Sequence, residues 1–110
     1  MIVKKPSIYI YVNKPDEGIV HEVCSGIEEE GVFFEIIERS EQDLSVLVRT
    51  AAEDSMLGSG VGVSENKVAF SIRGLKDGEY INGYANPTRE QSRMLGMNSA
   101  RAIKKQAFKD

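Results

Sequence analysis

Three consecutive carboxylates, Glu28-Glu29-Glu30, are the residues whose type and spacing most suggest chemistry. They crowd what reads as the last turn of a helix. The helix dipole favours cations there, so each acid costs about 0.3–1 kcal/mol. A solvated charged edge is the plain explanation. The functional one is a docking point for a cation or a basic partner. Hard carboxylate oxygens suit Mg²⁺, which often takes one or two protein carboxylates and fills its other positions from elsewhere. One such cluster offers only part of a site.

Other candidates carry less. Gly58-x-Gly60-x-Gly62 resembles a phosphate loop in composition. The phosphate fingerprint, however, needs G-x-G-x-x-G at a strand-to-helix turn, where helix amides meet the phosphate. Here the glycines lie along a strand that leads into another strand, which favours close packing. His21 is the only histidine and has no Ser or Cys partner at a turn. Cys24 falls on an apolar helix face and reads as a small buried hydrophobe. Neither joins a C-x-x-C or H-x-x-x-H spacing. No catalytic constellation emerges, and the residues alone point to a small α/β binding or subunit domain.

The elements that position these residues are organised around Gly58–Ile72. Ser59, Val61 and Val63 share one face of a strand, and Gly60 and Gly62 the other. Alternate glycines imply that a helix or another backbone comes close. Ser64-Glu65-Asn66 is a tight turn, with Asn66 suited to positive φ. Val68, Phe70 and Ile72 continue an antiparallel partner. Before this pair, Ser7 to Val12 is a first strand. Asn13-Lys14-Pro15-Asp16 breaks it and opens a helix with Ile19, Val20, Val23, Cys24 and Ile27 on one face, and Gly31 ends it. Val32 to Ile37 is a second strand. Ser40-Glu41-Gln42-Asp43 resembles a capping box for a second helix, which ends near Ser55. After the central pair, Gly74–Gly78 is a loop and Glu79 to Tyr84 a last strand. Asn86-Pro87 suggests a cap and first-turn proline for a final helix running to about Gln106. Gly96 costs that helix roughly 1 kcal/mol relative to Ala, so close packing is expected there. Arg101, Lys104, Lys105 and Lys109 suit its C-terminal end.

The order β-α-β-α-β-β-β-α implies parallel pairing in the first half, with right-handed crossovers, and one reversed strand. The expected fold is a three-layer α/β/α sandwich around a mixed, mostly parallel five-stranded sheet. The 110 residues suit one domain, 1–110. Lys plus Arg number 14 against 17 Asp plus Glu, a net charge of -3. Such a balance argues against nonspecific nucleic-acid binding. No apolar run reaches membrane-spanning length. The first residues lack a signal peptide's pattern. A single cysteine permits no intrachain disulfide, which fits a cytosolic compartment.

At Gly26-Ile27-Glu28-Glu29-Glu30-Gly31-Val32 the chain resembles the small subunit of the diol or glycerol dehydratase reactivating factor. The likeness continues through Ala51-Ala52-Glu53-Asp54-Ser55 and Val61-Gly62-Val63. It closes with Arg93-Met94-Leu95-Gly96-Met97-Asn98-Ser99-Ala100. It departs at Phe33, where the family often carries Pro, and in the proline-free Gly74–Gly78 loop. The resemblance implies a fold similar to the medium subunit of the adenosylcobalamin-dependent dehydratase and to anticodon-binding-like domains. It implies a noncatalytic subunit paired with a large, actin-like ATPase subunit. That complex releases damaged cobalamin from inactivated dehydratase by subunit swapping, and this chain would bind no cobalamin directly. Catalysis and nucleotide binding would belong to the large subunit. The family's second acidic-cluster Glu reaches an interfacial Mg²⁺, a role that carries onto Glu29, with Glu28, Glu29 and Glu30 at the partner interface. An isolated chain could cover that interface as a homodimer, and the pathway could sit in a bacterial microcompartment.

Two other readings compete. A medium-subunit-like component of the dehydratase itself would help cover the cobalamin, though usually with additional N-terminal sequence. A free-standing flavodoxin-like binding domain would show a ligand pocket at the carboxyl ends of the parallel strands.

Overall fold

The computed structural model describes residues 5–75 and 80–104. Its elements are β1 (Ile8–Asn13), α1 (Glu17–Glu29), β2 (Phe34–Glu38), α2 (Leu44–Asp54), β3 (Ser59–Ser64), β4 (Lys67–Ile72), β5 (Asn82–Ala85) and α3 (Arg89–Lys104). The sheet order is β2-β1-β3-β4-β5. β1 runs parallel to β2 and to β3, and β4 is antiparallel to both its neighbours. A single reversed strand in a mostly parallel sheet is the arrangement the sequence implies. The chain steps from β1 outward to β2, then back past β1 to β3. Two right-handed crossovers of opposite direction place α1 and α2 on opposite faces.

Strand alternation divides the side chains between those faces. Ile8, Ile10, Val12, Val61, Val63, Val68 and Phe70 join Val23, Ile27 and Leu95 in one core beneath α1 and α3. The other face holds a smaller cluster of Tyr11, Leu47 and Ala51, with Tyr9 and Ile37 packed against it. Gly60 and Gly62 lie under α2. A Cβ on Gly60 would come within 2.2 Å of the Ala52 amide nitrogen, and one on Gly62 within 3.0 Å of that of Val48. The alternate glycines therefore let a helix backbone approach the sheet.

Several local readings shift. The second helix begins at Leu44, and Asp43 is its cap, accepting from the amides of Ser45 and Val46. Ser40 is not the cap, because Asp43, directly before the apolar run, supplies the competing carboxylate. The third helix is capped by Thr88, whose Oγ1 accepts from the Gln91 amide while Gln91 Oε1 accepts from the Thr88 amide. This reciprocal Thr-x-x-Gln box prevails over Asn86-Pro87. Asn86 instead takes a positive φ of 49° in the preceding turn. In the β3–β4 turn the positive φ, 54°, falls on Glu65 and not on Asn66. β2 starts two residues later than expected, and β5 spans Asn82–Ala85. Glu79, part of the Gly74–Gly78 loop, Lys105, Gln106 and Lys109 lie outside the described residues.

Candidate functional site

The acidic cluster sits at the end of α1, where α3 crosses it. Two glycines set that crossing. A Cβ on Gly26 would come within 2.1 Å of the Arg93 carbonyl oxygen, and one on Gly96 within 2.1 Å of that of Val23. The helix backbones thus nearly touch, and long side chains flanking the contact can reach across it. Glu22 on α1 does so. Its side chain is 5 % exposed, and it meets Arg89 Nη2 at 3.2 Å and Arg93 Nη2 at 3.0 Å. Burial alone would raise its carboxyl. The hydrogen bonds and charges of Arg89 and Arg93 outweigh that and hold it below the usual carboxylate range.

From Arg93 the charges extend to the expected site. Its Nη1 stands 3.6 Å from Glu29 Oε1, with both side chains about half-exposed. Glu30 behaves differently. Its side chain is 8 % exposed and pairs with Arg101 Nη2 and Lys104 Nζ, each at 3.2 Å. Lys104 Nζ also donates to the Glu30 carbonyl at 2.7 Å, covering an end-of-helix acceptor. The cost of acids at a helix C-terminus is thus offset by bases from the neighbouring helix. Glu28 and Glu29 are the exposed members.

The sequence reading missed Glu22, Arg89 and Arg93. Their signal was present. Glu22 interrupts the buried stripe formed by Ile19, Val23, Gly26 and Ile27. The two arginines stand four residues apart, on one face of α3. A lone carboxylate inside an apolar stripe requires a cation from somewhere.

Among the described residues, no group of three His, Cys, Asp or Glu side chains could hold a metal by itself. Glu29, with exposed hard oxygens, fits a site completed from outside the chain. Glu30, enclosed by two cations, fits one less well. Cys24 is buried, and its thiol is pushed up to about 11 by burial first and by the Glu28 charge second. A thiol so rarely ionised at neutral pH is a poor nucleophile. His21 is exposed on α1.

The carboxyl ends of the strands hold two open depressions. One, of about 560 Å³, lies between the start of α2 and the β3–β4 turn, with Asp43, Glu65 and Lys67 in its wall. Another, of about 440 Å³, lies beside the start of α1 and includes Asp16 and Arg89. Asp16 and Asp43 already accept from the first amides of their helices. Those helix ends are therefore occupied by the chain's own carboxylates, which disfavours a phosphate at either. No helix among the described residues is long and apolar enough to cross a membrane.

Comparison with known proteins adds three findings. Residues 5–109 match the family model described as dehydratase medium subunit. A chain of a diol dehydratase-reactivating factor, solved in complex with ADP and Mg²⁺, is 26 % identical and superposes with a TM-score of 0.90, covering 97 % of this chain and 100 % of that one. A chain of a glycerol dehydratase reactivase, 24 % identical, shares the fold with a TM-score of 0.91 over 96 % of this chain and 98 % of that one. No curated protein matches in sequence.

Proposed function

The chain belongs to the dehydratase medium subunit family, and on that premise we propose that it is the noncatalytic small subunit of a reactivating factor for diol or glycerol dehydratase. The observation that supports this most is the end-to-end correspondence with the diol dehydratase-reactivating factor chain, which this chain covers completely. In this reading it pairs with a large ATPase-like subunit. It leaves that subunit when a dehydratase medium subunit takes its place, and the loosened dehydratase releases its damaged cobalamin. ATP hydrolysis belongs to the large subunit. The setting is the cytoplasm or a bacterial microcompartment.

The α1 edge supplies the contact. Glu29 would give one hard oxygen to a Mg²⁺ whose other positions come from the large subunit. Glu28 stands beside it on the same exposed turn. Glu30, tied to Arg101 and Lys104, fixes α3 against that turn and so holds the edge in shape. A contact resting on one or two released carboxylates is oriented yet separable, as an exchangeable subunit requires.

Reactivation of an inactivated diol or glycerol dehydratase tests the reading. A large subunit alone, with ATP and Mg²⁺, should restore little activity, and adding this chain should restore it. Restoration that never needs this chain would refute the proposal. Direct incorporation into a dehydratase in place of its medium subunit would favour the alternative, a component of the dehydratase itself.

A further inference from the structure

Among the described residues β2 is an edge strand with one open side. The Phe33 carbonyl accepts from the Ile8 amide, and the Arg39 amide donates to the Val12 carbonyl. Backbone groups alternate sides along a strand, so residues 33, 35, 37 and 39 bond β1. Phe34, Ile36 and Glu38 therefore direct both N–H and C=O away from the sheet. Exposed edges are usually blunted by proline, a bulge or charged side chains. β2 has no proline, and its two charges, Glu35 and Glu38, flank an uncharged centre at Ile36. Ile36 is 49 % exposed, and Phe33, just before the strand, is 55 % exposed even with the Lys5 ammonium 4.5 Å over its ring. The opposite edge differs. β5 has four residues, Asn82–Ala85, and the Tyr80 ring lies over its Gly83. Short, glycine-containing edges are poor templates.

We propose that two copies of this chain pair antiparallel through β2, about a two-fold axis at Ile36, joining their sheets into one. The outward groups fix the register, because only residues 34, 36 and 38 can exchange backbone bonds. Ile36 then faces Ile36 of the second copy, and Phe34 faces Glu38. On the other face Glu35 meets Ile37 and Phe33 meets Arg39. No charge stands directly opposite a like charge, the arrangement that cross-strand pairing tolerates. The two exposed apolar residues are covered by the same act. A shift by one residue in either direction would leave outward donors unmatched. A single strand edge buries less than the ~1,200 Å² of a standard interface. The dimer is accordingly weak and concentration-dependent.

The test is sedimentation equilibrium on the whole chain over a wide concentration range, alongside amide exchange by NMR. Wild type should approach twice the 12.2 kDa of one chain as concentration rises. The amides of Phe34, Ile36 and Glu38 should slow their exchange by at least about tenfold over the same range. Ile36→Pro removes only an outward donor, and Ile36→Lys places a charge at the two-fold axis. Each should yield a monomer with an unchanged circular dichroism spectrum. Should Ile36→Pro fail to fold, Ile36→Lys decides. A wild-type monomer at every concentration overturns the proposal. So does a dimer that persists in folded Ile36→Lys, or one that leaves those three amides exchanging as before.

Discussion

On one face of the sheet two helices cross at Gly26 and Gly96, and on the other a single helix rests on Gly60 and Gly62. Both contacts depend on missing side chains, but their surroundings differ. The α1/α3 side covers the large apolar core and carries the buried Glu22 with its two arginines. The α2 side covers a small cluster and ends in a partly exposed group, where Tyr11 donates to Asp54 at 2.5 Å and Arg39 stands 4.5 Å over the Tyr11 ring. α1 and α3 lie side by side on the sheet and brace each other where their backbones meet at Gly26 and Gly96. Among the described residues α2 rests on the sheet without a neighbouring helix and can shift outward. The double-helix face should therefore be rigid, and it is the face whose edge bears Glu28 and Glu29. A carboxylate that completes a partner's metal site, the role proposed for Glu29, needs such a support.

Gly96→Ala probes this contrast most strongly. Helix propensity alone predicts a gain of about 1 kcal/mol. The new Cβ would lie 2.1 Å from a backbone oxygen, and we expect a net loss of about 2–3 kcal/mol in urea unfolding. A gain would mean that the crossing opens freely. Gly60→Ala meets α2 backbone at 2.2 Å. Because α2 can shift outward, we expect a smaller loss, about 1–2 kcal/mol. If Gly60→Ala costs more than Gly96→Ala, the contrast between the faces is reversed.

Glu22→Gln sharpens the electrostatic side. In the unfolded chain Glu22 titrates near the ordinary value of about 4.3, and in the fold lower, because Arg89 and Arg93 outweigh its burial. Its stabilising contribution is thus present above the unfolded value and is lost as pH falls through the folded one. Replacing it should lower the unfolding midpoint at neutral pH and flatten the decline on the acid side. An unchanged acid profile would show that the arginines do not hold the carboxylate ionised. Tyr11→Phe should have the smallest effect, about 1 kcal/mol for one hydrogen bond. In the wild type the Tyr11 phenol, pushed up to about 12 by burial first and by Asp54 second, should titrate well above the ordinary value near 10 in an ultraviolet titration. Its contribution is full below the unfolded value near 10 and fades as pH rises through 12.

Much of this was legible in the sequence because it rests on period and volume. Alternation in β1, β3 and β4, the apolar stripe of α1 and the paired glycines of β3 each follow from local spacing. The order of elements then limits the topology to few choices. The close packing expected at Gly96 is present, against Val23. Cap positions were less legible, since Ser40 and Asp43, or Asn86 and Thr88, compete locally and the chain's path decides. The ion triad around the buried Glu22 was least legible. It joins residues 67 and 71 positions apart, and no local pattern pairs Glu22 with Arg89 and Arg93. The same distance conceals why Glu30 is neutralised while Glu28 and Glu29 stay exposed. Period cannot show what a second helix brings to the end of the first.

The most direct test is the affinity of this chain for a reactivating-factor large subunit, measured by titration calorimetry with Mg²⁺ and with chelator, for wild type and Glu29→Gln. The account predicts a complex with wild type and Mg²⁺ that weakens at least about tenfold, or 1.4 kcal/mol, on losing either the carboxylate or the metal. A chain that does not bind the large subunit, under conditions where it remains folded, would contradict it. A complex indifferent to both changes would keep the subunit assignment and remove Glu29 from the interface chemistry.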